Sequence, residues 1–487
     1  MNAIDRLLNR FTMYRLVLYA LISYVILGFF WAFANRLPFS LGELVGSLAV
    51  LLVVTYITNR VFGGLWRVPT NSESWLITAL ILFLILEPAL NASGYLMLVV
   101  AGVVAVSSKF LLAVRGRHIF NPAALAAAVL SLTAIQPTIW WLGSSKFWPL
   151  TLLFGLAVVR KQRRFSLVLI FAAVGLLVQT LLIVHHQAPL ISTLHNDLIS
   201  SPLIFLGTIM LTEPATMPPR RQQQLLFGAI VAVLYATAWH VGRLYVYPEV
   251  ALLLGNLYAF AVSSKAGLQL ELLRIDKISD RVADYVFRPE RRLQFMAGQY
   301  MQWTLPGVKF DSRGNRRSFT IASAPSEADV HLGVKFYEPS SAFKARLRHL
   351  KPGDKIYGSQ IGGDFTLSGN ENKKIAWIAG GIGVTPFRSM AQSLVDQNLQ
   401  ADVVLLYKVA DKTELAFAEV FAAAREHGVK AIPLTGRLDK TMITEKIPDY
   451  AERLFYVSGP NAMVDATRAQ LTDLGVKQIK TDHFAGY

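Results

Sequence analysis

The run Ile375-Ala376-Trp377-Ile378-Ala379-Gly380-Gly381-Ile382-Gly383-Val384-Thr385-Pro386 decides how the second half of this chain folds. Its apolar start reads as a strand buried on both faces. The glycines let the backbone turn tightly, and Pro386 suits the first turn of a helix. Strand, glycine turn and helix in that order aim backbone N–H groups at a phosphate. The spacing departs from G-x-G-x-x-G, because Pro386 stands where the helix should start. Taken alone, the turn is equally a plain strand-to-helix connector.

Outward from this run, the pattern is β-rich from Leu268 to about Leu367 and alternates β and α from there to the end. Charge is dense throughout this half. Towards the N-terminus the composition changes sharply at Ser263-Ser264-Lys265-Ala266-Gly267, and apolar runs follow one another with short breaks. The expected domains are residues 1–266, 267–370 and 371–487. The chain is 53% apolar and 16% charged, a bias that points to a membrane share. It has no cysteine among its 487 residues. That excludes disulfides, thiol nucleophiles, thiolate zinc sites and cysteine-ligated iron–sulfur clusters.

The front half offers about ten apolar segments, near 14–34, 43–62, 75–90, 94–114, 120–136, 147–160, 165–185, 199–212, 225–243 and 247–264. A full span takes about 20 residues, so several of these are half-length or broken helices. One set of breaks collects Arg6, Arg10, Arg15, Arg60, Arg67, Arg115, Arg117, Arg160, Lys161, Arg163, Arg164, Arg220, Arg221 and Lys265. The alternate set collects Arg36, Lys146 and Arg243, so the ratio is fourteen to three. The positive-inside rule then places both termini in the cytoplasm of a bacterial-type inner membrane, with the soluble domains on that side. The first segment is too long for a cleavable signal peptide and lacks a small-residue cleavage site. Much of the net charge of +16 is thus a topology signal, and no nucleic-acid site is expected.

Glu87-Pro88 closes the third segment and Glu213-Pro214 the eighth, 126 residues apart. Pro122 and Pro248 open the fifth and tenth, again 126 apart. Two five-segment units follow, and an odd number of spans makes the second inverted. A proline at the end of a span frees backbone groups that must face protein or a cavity. A glutamate beside it is a functional candidate by default. Asn121, Thr212 and Glu213 are therefore the candidates for a cofactor cavity.

The Phe120-Asn121-Pro122-Ala123 and Thr212-Glu213-Pro214-x-x-x-Pro218 segments resemble the flavin-binding membrane subunits of Rnf complexes and of sodium-translocating NADH:quinone oxidoreductases. The resemblance covers about residues 10–264 and implies flavin held in the membrane. The family's Ser-Gly-Ala-Thr attachment motif for covalent FMN is missing here. Non-covalent FMN or riboflavin, or a quinone in an equivalent cavity, is the expectation.

In the second half, Gly298-Gln299-Tyr300, Arg317-Ser318-Phe319-Thr320, the Gly380–Pro386 turn, Tyr456-Val457-Ser458-Gly459-Pro460-Asn461-Ala462-Met463 and Phe484-Ala485-Gly486-Tyr487 occur in order. Together they resemble the ferredoxin–NADP reductase family over about 268–487. The resemblance implies a six-stranded antiparallel flavin barrel and an α/β nucleotide-binding domain. It implies FAD contacts at Tyr300, Arg317, Ser318, Phe319 and Thr320, with Arg317 on a phosphate and Thr320 near flavin N5. Ser340, Ser341 and Lys344 would wrap the pyrophosphate. Gly380, Gly381, Gly383, Thr385 and Pro386 would meet NAD(P)H, as would Ser458, Gly459, Pro460 and Met463. Thr320 and Ser458 are the candidate catalytic residues, and Phe484 and Tyr487 would cover the flavin. Lys408 and Lys412 are equally readers of a 2′-phosphate or plain surface charge, so NADH and NADPH both stay open.

The expected architecture is a polytopic α-helical membrane domain, an antiparallel β-barrel flavin domain and an α/β nucleotide-binding domain. The expected reaction passes electrons from NAD(P)H through FAD to a membrane flavin or quinone, with a lipid bilayer and further redox subunits as partners. Two alternatives remain at this stage. One is a haem-containing transmembrane reductase, although among His118, His185, His186, His195 and His240 no two stand 13 or 14 apart. The other is a transporter with a regulatory reductase tail.

Overall fold

The computed structural model describes residues 7–8, 11–66, 72–114, 117–133, 138–241, 244–263, 268–306, 315–338, 340–367, 373–436 and 438–483. It divides into two compact units, 3–265 and 266–487.

The first unit is helical. Its helices are α1 (Met13–Phe33), α2 (Leu41–Leu65), α3 (Ser72–Ile85), α4 (Ala92–Leu111), α5 (Pro122–Leu132), α6 (Trp148–Gln162), α7 (Phe165–His185), α8 (Leu190–Ile199), α9 (Arg221–Thr237) and α10 (Pro248–Val262). Among the described residues, α1, α2, α4 and α7 are long and apolar enough to cross a membrane. The helices α3, α5 and α10 are shorter apolar pieces. Local chemistry sets the ends. Ser40 and Glu43 form a capping box at α2, and Asn121 caps α5 one residue before Pro122.

The eighth expected segment, 199–212, is not a regular helix. A single turn at Leu203–Phe205 passes into a wide π turn at Leu206–Met210, and the amphipathic α8 precedes it. Pro202 starts the turn, while Thr208 and Thr212 donate their hydroxyls back to Ile204 O and Thr208 O. Such back-bonding bends a helix.

The two halves of this unit repeat. A two-residue hairpin, β1 (Ala113–Val114) with β2 (Arg117–His118), precedes α5. A matching hairpin, β3 (His240–Val241) with β4 (Leu244–Tyr245), precedes α10. The helix α2 packs on α4 as α7 packs on α9, and α4 packs on α5 as α9 packs on α10. Equivalent helices meet antiparallel. The start of α5 reaches late α10, where Asn121 N donates to Asn256 Oδ1 at 2.9 Å. The end of α5 reaches the start of α10, where Ser131 Oγ donates to Glu249 Oε1 at 2.9 Å. Likewise Tyr24 of α1 packs edge-on against Phe154 of α6 at 5.9 Å, while Gly28, further along α1, lies against Phe147 before α6 begins.

The second unit begins with a six-stranded antiparallel sheet of β5 (Leu268–Ser279), β6 (Val282–Pro289), β7 (Tyr300–Thr304), β8 (Arg316–Thr320), β9 (Val330–Lys335) and β10 (Lys355–Gly362). Their order is β8-β7-β10-β5-β6-β9. The barrel edge strands meet where Ala322 N donates to His331 O. The short helix α11 (Ala342–Arg348) drives Phe343 and Leu347 into the barrel core beside Trp303 and Phe287.

The α/β part follows with β11 (Lys374–Gly380), α12 (Thr385–Asp396), β12 (Asp402–Val409), α13 (Ala418–Ala424), β13 (Val429–Thr435), α14 (Lys440–Lys446), β14 (Leu454–Gly459), α15 (Asn461–Asp473) and β15 (Ile479–His483). All five strands are parallel, in the order β13-β12-β11-β14-β15. The order reverses at β11, so a crevice opens beyond the carboxyl ends of β11 and β14. Trp377 and Phe387 stack at 5.2 Å in a core that takes in Val282 and Phe365 from the barrel side.

Gly298 is one joint of this shared core. It has φ +94°, and a Cβ there would stand 2.2 Å from Phe365 O and 2.5 Å from Met390 Cε. Gly353 has φ +91° with open space around it. Replacing Gly353 by alanine is expected to cost only the left-handed backbone term, about 1–2 kcal/mol. Gly298→Ala adds a clash with rigid backbone, so its thermal unfolding midpoint should fall well below that of Gly353→Ala. Calorimetry of the detergent-solubilised full chain checks the order.

Candidate functional site

The glycine turn after β11 lies against the end of β14 with almost no side chain between them. A Cβ on Gly383 would meet Gly459 Cα at 2.6 Å and Ser458 O at 2.7 Å. One on Gly380 would meet Met463 Sδ at 2.4 Å and Pro460 Cδ at 3.2 Å. Gly381 takes φ +53° and faces open space. The buried Thr385 donates its hydroxyl to Ile382 O at 3.1 Å, which closes the turn, and Pro386 starts α12. Three glycines thus form a bare backbone cradle at the sheet's switch point, the geometry that accepts a dinucleotide phosphate. Ser458 is fully buried at its edge, and its Oγ meets no hydrogen-bond partner among the described residues. A buried unsatisfied hydroxyl beside a bare cradle fits a polar ligand group such as a carboxamide.

On the barrel, the strand period puts Arg317 and Phe319 of β8 on one face, paired with Trp303 and Met301 of β7. Thr320 pairs with Tyr300. Arg317 is 5% exposed, donates from Nη1 to Arg316 O at 2.6 Å and lies 5.4 Å from the centre of the Phe343 ring. A solvated surface arginine is therefore ruled out. Phe319 leans on Phe343 at 5.8 Å, Thr320 is buried and Ser318 is exposed.

Lys344 donates to Lys335 O at 2.6 Å and sits over Tyr337, while Arg348 sits over Phe336. Burial, and then the neighbouring Arg317 and Arg348, push Lys344 down to about 8. These cations fit an anionic group such as a pyrophosphate. Ser340 and Ser341 stand at the turn that leads into α11. Ser341 Oγ caps that helix by accepting from Lys344 N, and Ser340 Oγ donates to Tyr337 O. Phe484 and Tyr487 lie outside the described residues. Lys408 is partly exposed at the end of β12, and Lys412 is exposed.

In the helical unit, Asn121 and Glu213 come together as expected. Asn121 Nδ2 donates to Glu213 Oε2 at 2.9 Å, and Thr216 Oγ1 donates to the same oxygen at 3.1 Å. His118 Nε2 stands 3.5 Å from Glu213 Oε1. All but Thr216 line a cavity with about 670 Å³ of empty space, part of it open to the outside, together with Lys109, Ser74, Thr78, Gln162 and apolar groups from α1, α3 and the π turn. Lys109 Nζ donates to Ser74 O, Ser74 Oγ and Thr78 Oγ1 at 2.7–3.0 Å. Thr212 is not in the lining. Its hydroxyl turns back to Thr208 O and reaches the cavity only by accepting from Gln162 Nε2 at 3.3 Å. Sequence reasoning missed Lys109 and weighed His118 only as a haem ligand. A lysine within the apolar α4 is a signal that could have found the first. His185 and His186 are exposed at the end of α7.

Residues 377–469 match the oxidoreductase NAD-binding domain family. An NADH oxidoreductase (HCR) of Escherichia coli strain K12 is 29% identical over 39% of this chain and 59% of its own length. A flavohemoprotein of Bacillus cereus is 26% identical over 42% of this chain and 56% of its own. An NADPH oxidoreductase of Mycobacterium tuberculosis is 29% identical over 35% and 47%. The chain thus spans little more than half the length of the curated relatives it matches. Among solved structures, the FAD/NAD-binding domain of a nitric oxide dioxygenase from Vibrio cholerae covers 45% of this chain and 98% of its own, at 22% identity and a TM-score of 0.40. The C-terminal half thus carries a match to an oxidoreductase NAD-binding domain and is similar to NADH and NADPH oxidoreductases.

The low value at Lys344 sets a pH dependence. The folded chain loses this proton near pH 8, whereas an unfolded lysine holds it to about 10.4. Between those values the unfolded state binds more protons, so this group's contribution to stability rises with pH. A phosphate acts in the opposite direction by favouring the protonated amine. The affinity of the apoprotein for FAD should therefore fall as pH rises through 8, with proton uptake on binding. Lys344→Gln should flatten that profile. Flavin fluorescence titrations at pH 7 and 9.5 measure both.

Proposed function

We propose that the chain is a membrane-bound, FAD-dependent NAD(P)H oxidoreductase that passes electrons to a flavin or quinone in the cavity around Glu213. The observation that carries the reading is the bare cradle of Gly380, Gly381 and Gly383 with the orphaned Ser458 hydroxyl at its edge. The relatives' names, NADH and NADPH oxidoreductase, support it.

Bound FAD would supply the chemistry, taking a hydride from the nicotinamide and releasing electrons singly. The chain's own residues bind and orient. Arg317 and Lys344 would neutralise the FAD phosphates, with Tyr300 and Phe319 along the flavin and the buried Thr320 hydroxyl at its reactive edge. Ser458 would hold the nicotinamide carboxamide while Gly380, Gly381 and Gly383 receive the phosphates. Thr385 and Pro386 fix the turn, and Pro460 and Met463 back it.

In the helical unit, Lys109 and His118 offer donors and Glu213 an acceptor to a planar carrier with carbonyl oxygens, such as non-covalent FMN, riboflavin or a quinone. Four helices of membrane-spanning length and the fourteen-to-three charge asymmetry support a bilayer setting with both termini cytoplasmic. The antiparallel meeting of equivalent helices supports an inverted repeat. Further redox subunits would complete an electron route.

Acid extraction of the purified full chain should release FAD, and anaerobic NAD(P)H should bleach it. Arg317→Ala should lose bound FAD. Glu213→Gln should leave the bleaching intact but slow reoxidation by a membrane acceptor, roughly 10- to 100-fold for one lost charged hydrogen bond. A chain that retains no flavin and leaves NAD(P)H unoxidised would refute the reading.

A further inference from the structure

The first two turns of α12 are buried on every side. Thr385 through Ala391 are all buried, and Thr385, Arg388 and Ser389 are the polar members of that stretch. The side chains of Arg388 and Ser389 leave the α/β part and bind the barrel. Ser389 Oγ donates to Ser323 O at 2.6 Å and accepts from Gly298 N at 3.2 Å. Arg388 Nη1 donates to Ala322 O at 3.2 Å, and both terminal nitrogens engage Glu327, Nη2 at 2.8 Å. Glu327 in turn accepts from Ala324 N and stands 4.0 Å from His331 Nε2, whose Nδ1 meets Asp284. Arg388 is 5% exposed, so the pair is desolvated and stiff.

The positions of these contacts give them meaning. Ala322 and Ser323 follow Thr320 by two and three residues, just past the end of the strand that bears the flavin motif. Arg388 and Ser389 follow Thr385 by three and four, one turn beyond the glycine cradle. The approach is close on the barrel side too, since a Cβ on Gly333 would stand 2.7 Å from Thr385 Cγ2. Strand and cradle are thus tied by short, directional bonds at the point where the two ring systems must face each other.

We propose that Arg388, with Glu327 and Ser389, is a positioning residue that sets the separation of the nicotinamide and flavin sites. The role rests on the reductase reading above. In that reaction a hydride, two electrons and one proton, leaves the nicotinamide C4 and joins flavin N5. NAD(P)H is oxidised, FAD is reduced, and no further reactant is required. Arg388 touches neither ring. It acts through the backbone of Ala322–Ala324.

The test uses the full chain in detergent. Arg388→Met should slow anaerobic hydride transfer about 10- to 100-fold, the loss expected from a displacement of about 1 Å. The long-wavelength charge-transfer absorbance of the NAD(P)H complex should weaken with it. FAD content and the NAD(P)H concentration dependence should stay as in the parent chain. In the apoprotein, amide exchange at Ser323 and Ala324 should quicken. The double variant R388M/E327M removes the stranded carboxylate and should recover thermal stability but not the rate. Unchanged transfer and absorbance in Arg388→Met would overturn the proposal, as would a double variant that regains both stability and rate. A rate that falls only in step with lost FAD would also overturn it. A parent chain that NAD(P)H never bleaches would remove the reductase reading and this role with it.

Discussion

The contact of Gly383 with Gly459 is the constraint on which the second unit depends. Two loops leave neighbouring parallel strands at the point where strand order reverses, and they touch backbone to backbone. A single methyl group at Gly380, Gly383 or Gly459 would push the turn off β14 or Met463. The bare cradle, the burial of Ser458 and the start of α12 all follow from that closeness. So does the aim of α12. A helix leaving a turn held this tightly has a fixed axis, and its first buried turn meets the barrel at Ala322 and Ser323. The bare cradle and the bonding of α12 to the barrel are two consequences of one steric fact.

The first unit is governed by a different constraint, the need to satisfy backbone groups where helices break. Ile85 and Met210 end their segments just before Glu87-Pro88 and Glu213-Pro214. At the second break the chain turns on itself, because Thr216 N and Met217 N both donate to Glu213 O. At the first, Ser47 accepts from Ala89 N. The repeat is therefore equal in path and unequal in chemistry. Lys109 bonds Ser74 and Thr78 in one half, while its counterpart 126 residues on, Tyr235, bonds Ser201 in the other. The cavity forms on the side that has the cation.

Much of this was legible in the sequence for physical reasons. Among the described residues, nine of the ten apolar segments hold a regular helix, with bounds up to six residues from those expected, because apolar runs bounded by proline, glycine and charge leave little choice. The strand-to-helix turn was legible because glycine and proline report backbone geometry directly. The eighth segment was not, since a π turn arises from threonine back-bonding and packing rather than from composition. The place of Thr212 behind Gln162 was hidden for the same reason. Arg388 and Ser389 were invisible beside the glycine motif, as a buried arginine gains meaning only from a partner, here Glu327, 61 residues away. The capping role of Ser341 was not legible either, because the same hydroxyl serves a helix end or a ligand.

The missing cysteine now bears on mechanism. In a chain without thiolate, no iron–sulfur centre built on cysteine can relay electrons within it. Among the described residues, no cluster of three or more histidine, aspartate or glutamate side chains is placed to hold a metal. The proposed function relies on organic carriers, and these place strict demands on geometry. Organic carriers are held by hydrogen bonds and packing rather than by ligand bonds, so the protein must supply stiffness elsewhere. The stiff elements observed are of that kind: a glycine cradle with no slack, a desolvated Arg388–Glu327 pair, and a carboxylate at Glu213 fixed by neighbours from α5 and from its own turn. Position in this chain is maintained by buried polar bonds at joints, where a redox protein built on metal would rely on the metal itself.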